Sequence, residues 1–177
     1  MKTPIDLLLA EHRIIEKALR ALAGICDRLE RCEQVDPDAF DRVFEFLDTF
    51  ADRRHHQKEE KCLFAALGAQ GVPRDRGPIG VMLQEHCTGR ALIAQMRRAV
   101  NAHAMKEFIE AARAYVDLLS EHIQKEDNVL FRVAQTLLDE RSMLSLQDDF
   151  NQAEAELPGS LAKYEQEAQE IERAWAI

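Results

Sequence analysis

His55-His56-Gln57-Lys58-Glu59-Glu60-Lys61-Cys62-Leu63-Phe64 aligns without a gap against His122-Ile123-Gln124-Lys125-Glu126-Asp127-Asn128-Val129-Leu130-Phe131. The shared form is H-x-Q-K-E-[E/D]-x-x-L-F. In each copy a histidine precedes a glutamate by four positions. On a helix those positions lie on one face, about one turn apart. Each copy therefore presents an imidazole beside a carboxylate. Two such helices facing each other bring two His and two Glu around one point, a ligand set suited to a pair of metal ions.

The composition around this repeat favours helices. The chain has 177 residues, enough for one domain with a substantial core, and only 7 Gly and 5 Pro. Hydrophobic residues make up 46% and charged residues 31%, with abundant Ala, Leu, Glu, Lys and Arg, the residues of long helices. The formal charge of -9 argues against nucleic acid or an anionic membrane as the main partner, because both call for basic patches. No apolar run reaches the roughly 18 residues of a membrane span. Leu7-Leu8-Leu9-Ala10 is too short for a signal-peptide core and ends at Glu11 and His12, so a cytoplasmic protein is expected. Cys26, Cys32, Cys62 and Cys87 show no C-x-x-C spacing and are expected to be reduced and buried rather than a disulfide framework.

Capping and breaking residues divide the chain into an all-α, up-down-up-down four-helix bundle over 1–140 and a helical extension over 141–177. Thr3 caps a first helix from Pro4 to about Arg31, and Asp36 caps a second from Pro37 to about Leu67. Gly77-Pro78 opens a third helix that runs to about Val100, and a fourth spans about Ala104 to Asp139. Apolar residues recur at helical spacing, as in Leu8, Ile15, Leu19 and Leu22, and no strand alternation is present. In the extension, helices are expected over about Ser145–Glu156 and Ser160–Trp175, interrupted at Pro158-Gly159. They are expected to pack along the bundle or to form a homodimer contact.

Each bundle helix carries a His within its amphipathic pattern: His12, His55, His86 and His122. Counting residues from the helix ends places these four within a layer roughly 10 Å thick, off centre in the bundle. Burying Glu59 and Glu126 as ions beside them without a compensating cation is costly, and a metal pair supplies that charge. His56 and Glu60 share the ligand spacing. Only His55 and Glu59, however, align with His122 and Glu126 when both Leu-Phe pairs are in register, which leaves His56 and Glu60 to the outer face or to supporting roles.

The segments A10-E-H-R13, H55-H-Q-K-E-E60, Q84-E-H-C87 and E121-H-I-Q-K-E126 resemble the signature of the hemerythrin-like HHE cation-binding family, over about residues 4 to 140. The resemblance implies a centre of two non-haem iron ions. Carried over position by position, His12, His55, His86 and His122 are implied as terminal ligands, with Glu59 and Glu126 as bridging carboxylates. The pattern is most similar to the four-His, two-Glu branch that includes di-iron proteins repairing iron centres under nitrosative stress. It implies binding or reduction of O2, NO or peroxide in stress response or iron handling. The alternative is a metal-dependent sensor or oxygen-binding module without turnover.

Oxygen-carrying members of the family have a fifth His one turn along the third helix. Here Met82 and Arg90 hold the positions one turn either side of His86, so the expectation is a symmetric centre with an open position on each ion. Other residues have two readings each. Gly89 leaves room for ligand entry or for close helix packing, and Tyr115 either donates to the centre or packs. Glu11 and Glu85 either orient imidazoles or are surface charge, and Cys62 and Cys87 either sense oxidation or are inert. His103 is expected in a solvated loop. Without metal, Glu59 and Glu126 face each other, an arrangement expected to favour protonation of at least one.

Overall fold

The computed structural model describes residues 3–176, and no strand occurs among them. The outer limits of the two expected units, residues 1, 2 and 177, lie outside the described residues.

Helix α1 (Pro4–Glu30) starts in a reciprocal cap. The Thr3 hydroxyl accepts from the Asp6 backbone N–H at 3.1 Å while the Asp6 carboxylate accepts from the Thr3 N–H at 2.8 Å. Asp36 and Pro37 open the second helical rod as expected, but the rod is not α-helical throughout. It runs through α2 (Pro37–Phe46), a π-helical stretch π1 (Leu47–His56), a second, π2 (Glu59–Leu63), and α3 (Phe64–Ala69). The third rod is α4 (Gly77–Asn101). The fourth joins α5 (Met105–Lys125), π3 (Glu126–Leu130) and α6 (Phe131–Leu137). All three π segments lie within or beside the repeated motif, where widened i→i+5 turns commonly mark functional sites.

The extension forms α7 (Glu140–Ala155) and α8 (Leu161–Trp175). Helix α7 begins five residues earlier than expected from Ser145, because the Asp139 side chain accepts from the Ser142 N–H at 2.8 Å and caps it there. Leu146 and Phe150 bury its apolar face. Helix α8, capped by Ser160, lies along α1. Ala168 and Ile171 enter the core, Glu172 pairs with Arg20 at 2.6 Å, and the Arg28 guanidinium sits 5.1 Å above the Trp175 ring. Gly24 allows this approach: a Cβ there would lie 1.9 Å from the Trp175 carbonyl oxygen.

The core is split in two. The larger apolar cluster takes Ile14 to Cys26 of α1, Ala39 to Ala51 of the second rod, Ile93 to Ala99 of α4 and Phe108 to Ile123 of α5. The smaller gathers Ile5, Leu8, Leu63, Phe64, Ile79, Met82, Leu130, Phe131 and Phe150. Between the two lie Glu11, His12, His55, His56, Glu59, His86, His122 and Glu126, all buried. The bundle thus carries one polar layer between two apolar ones, off centre as the residue count predicts. Outside it, Cys26 is buried, whereas Cys32 and Cys87 are exposed and Cys62 is half-buried, so the expectation of buried thiols holds for Cys26 alone. All four are free. His103 sits exposed in the turn before α5 with φ 58°, as expected for a loop residue.

Candidate metal centre

The structure brings all six sequence-predicted ligands together. His12 Nε2 lies 3.2 Å from Glu126 Oε2, and His122 Nε2 lies 3.3 Å from the same oxygen. His55 Nε2 lies 3.3 Å from Glu59 Oε1, and His86 Nε2 lies 3.5 Å from Glu59 Oε2. Two sets of donors emerge, each with ligand atoms within 4.8 Å of one another: His12, His55, Glu59 and Glu126; and His56, Glu59, His86 and His122. Glu59 belongs to both.

His56 does not lie on the outer face, the first of its two expected places. Its ring is buried, stacked 4.0 Å from the His86 ring at 20°, and 5.6 Å from the His122 ring. On an α-helix, neighbours project about 100° apart, and with His55 facing inward His56 is carried toward the outer face. The π turn of residues 47–56 advances less per residue, and both imidazoles reach the interior. Apolar periodicity carries no sign of such a turn. Glu60, by contrast, takes the supporting place expected of it. Arg90 also points away from the layer. It bonds Asp52 and Glu60, each at 2.7 Å.

Each of the four expected His ligands is oriented from behind by a carboxylate on the neighbouring rod. His55 Nδ1 pairs with Glu11 at 2.9 Å, His86 Nδ1 with Glu60 at 2.8 Å, His122 Nδ1 with Glu85 at 2.9 Å, and His12 Nδ1 with Asp127 at 2.6 Å. The pairs run in a closed ring from first rod to second, second to third, third to fourth and fourth to first. Such a bond turns the other nitrogen, Nε2, with its lone pair inward, the usual support of a metal-bound imidazole. Glu11 and Glu85 thus take the orienting alternative of their two readings. Asp127 was not singled out in the sequence, yet the repeat held its signal: it aligns with Glu60, and both do the same work. The motif lysines complete the pattern, Lys58 bonding Glu11 and Lys125 bonding Glu85. Lys58 is buried and also bonds Glu154 of α7, together with Arg54.

Gly89 and Tyr115 take the packing alternative. The buried Tyr115 ring fills the space that Gly89 leaves, with Cε2 3.5 Å from where a Cβ would stand. Burial, then Asp52 and Asp48, push its phenol well above the usual range.

Electrostatics separate this layer from an ordinary ion-pair network. Burial raises Glu59 and Glu126, but the imidazoles outweigh it: both carboxyls are held low, chiefly by His55 for Glu59 and by His122 for Glu126. Burial likewise lowers His55 and His122, yet Glu59 and Glu126 leave each raised to about 10. The expected protonation of at least one of the two glutamates is therefore corrected. The imidazoles are closer bases and take the protons instead. Burial and His86 hold His56 well below its ordinary value, as a neutral ring.

The donors fit a metal pair on one observation. The Nε2 atoms of His12, His55 and His56 and both oxygens of Glu59 and of Glu126 are buried without a well-aligned hydrogen bond, although His12 and His55 lie 3.2 and 3.3 Å from glutamate oxygens. Buried polar atoms are seldom left so. Seven of them, all electron-pair donors facing two adjoining points, are what two cations would satisfy. No helix among the described residues is long and apolar enough to cross a membrane. No curated protein and no solved structure matches the chain. A family model does: the hemerythrin HHE cation binding domain matches residues 3–134, the whole of the four-rod bundle to within three residues of its end, and the chain belongs to that family.

Proposed function

We propose that this chain is a non-haem di-iron protein that binds or reduces a small oxidant, O2, NO or peroxide, in stress response or iron handling. The observation that carries it is the set of unpartnered imidazole and carboxylate atoms converging in a layer closed by apolar residues on both sides. His12 and His55 would hold one ion and His86 and His122 the other, with Glu59 in both donor sets and Glu126 within 3.2 Å of His12 and 3.3 Å of His122. Mixed imidazole and carboxylate donors suit iron, and a pair of irons supplies electrons to a small bound oxidant.

The protein's own residues set the conditions. Glu11, Glu60, Glu85 and Asp127 fix each ring and raise its basicity as a ligand. Phe131, stacked 5.3 Å from His12, and Phe64, 6.0 Å from His86, shut bulk water out on the side of the smaller cluster. A buried centre flanked by apolar clusters suits a diatomic or a peroxide better than a larger substrate. Anaerobic reconstitution with ferrous iron, followed by metal analysis, optical and Mössbauer spectra and exposure to each oxidant, tests the reading. Two ions per chain and a spectral change with O2, NO or peroxide are expected. One ion or none, or a pair inert to all three, overturns it.

A further inference from the structure

We propose that His56 is a fifth imidazole ligand, so that one ion of the pair has three histidines, His56, His86 and His122, and the other has two, His12 and His55. This rests on the di-iron reading above and deepens it. The two ions then differ in their number of imidazoles.

Three observations carry it. First, His56 offers a ligand atom within 4.8 Å of those of Glu59, His86 and His122. Second, its Nε2 is buried and makes no well-aligned hydrogen bond, as with His12 and His55. A histidine serving only to pack would leave that polar atom desolvated and unpaired, which is costly. Third, a carboxylate stands behind the ring as behind the other four, although beyond hydrogen-bond distance: Nδ1 faces Asp52 at 3.7 Å, and Asp52 is itself fixed by Arg90. The π turn supplies the means. It places two adjacent histidines in one layer and so obtains from the second rod an imidazole that the third rod, with Arg90 turned outward, does not provide.

Glu59 lies in both donor sets, and Glu126 lies 3.2 Å from His12 and 3.3 Å from His122, so the two ions differ chiefly in their imidazoles, three against two.

The test compares wild-type protein with His56→Gln and His56→Leu. Each is reconstituted anaerobically with ferrous iron, titrated with a chelator, and assayed for ions per chain and by Mössbauer spectroscopy. Wild type should hold two ions in inequivalent environments. Both variants should release one ion at least about tenfold more readily, since even the partners behind a ligand are worth about 10–100-fold in affinity. Only one of the two iron signals should change. A packing role predicts something else: His56→Leu, which keeps an apolar volume, would hold both ions as wild type does, and that result overturns the proposal.

A measurement without substitution guards against variants that fail to fold. Proton NMR of wild-type protein loaded with cobalt(II) counts ligand imidazoles through their exchangeable, paramagnetically shifted Nδ1–H signals. Five such signals are expected, and four would overturn the assignment. Failure of wild type to bind two ions at all would instead sink the di-iron reading itself, so the two failures are told apart.

Discussion

Glu59 is shared by both donor sets, so Glu59→Gln should weaken both ions at once. The substitution keeps the shape of a fully buried side chain and removes its charge. The magnitude follows from linkage. An ion present at a thousandfold excess over its dissociation constant stabilises the native state by about 4.1 kcal/mol. For a chain of 177 residues, about 2–4 °C of Tm accompanies each kcal/mol, so each ion adds about 8–16 °C. A hundredfold loss of affinity removes about 2.7 kcal/mol of that, or about 5–11 °C per ion. Calorimetric melts with ferrous iron and with chelator, for wild type and Glu59→Gln, give the increment directly. His86→Gln, which touches one set, provides the comparison and should lose the increment of one ion only. If Glu59→Gln keeps the full metal-dependent increment, or loses no more than His86→Gln does, Glu59 is not shared between two ions and the centre has been misread.

The protonation pattern makes a prediction of opposite sign for protein in chelator. His55 and His122, raised to about 10 from 6.5, contribute stability that is complete below about pH 6.5 and lost as pH rises toward 10. The Tm in chelator should therefore fall over that window, while iron affinity should rise with pH as the metal displaces those protons; a flat or rising melt would contradict the His–Glu pairing. The two motif lysines should differ in cost. Lys58→Met breaks a buried pair with Glu11 and should cost about 3–5 kcal/mol in urea unfolding, whereas Lys125→Met, on a side chain 42% exposed, should cost no more than about 1 kcal/mol. Gly24→Ala should force the last turn of α8 off α1 at a cost of about 1–3 kcal/mol. Since Trp175 is the single tryptophan, its fluorescence should shift to the red and become quenchable, and an unchanged spectrum would refute the close approach.

What was legible in the sequence, and what was not, divides along one physical line. Caps and breakers such as Thr3-Pro4, Asp36-Pro37 and Gly77-Pro78 act within a few residues, and they located the rods. The i, i+4 spacing of His55 with Glu59 and His122 with Glu126 is likewise local, and it survived even where the helix widened to π geometry. The role of Glu60 and Asp127 depended on which neighbouring rod each faces. Position in the chain does not encode that, although their alignment in the repeat hinted that they act alike. His56 was harder to read: the register of the repeat singles out one histidine per copy, and nothing in it signals the π turn that carries the neighbouring ring inside as well.

The repeat also explains why the two halves of the centre are not equivalent. Lys58 and Lys125 occupy the same motif position and grip the same kind of glutamate, each of which holds a ligand imidazole. Helix α7 breaks the equivalence. Its Glu154 covers Lys58 and pairs with the buried Arg54, sealing the chain from Glu154 through Lys58 and Glu11 to His55, while Lys125 stays open to solvent. The extension is thus more than a cover for Leu146 and Phe150. It desolvates the support of His55 and leaves the matching support of His122 partly open to water. Charge in water is screened and mobile, whereas the same pairs in a buried setting hold one geometry. The buried Lys58 and the exposed Lys125 are the structural form of that difference.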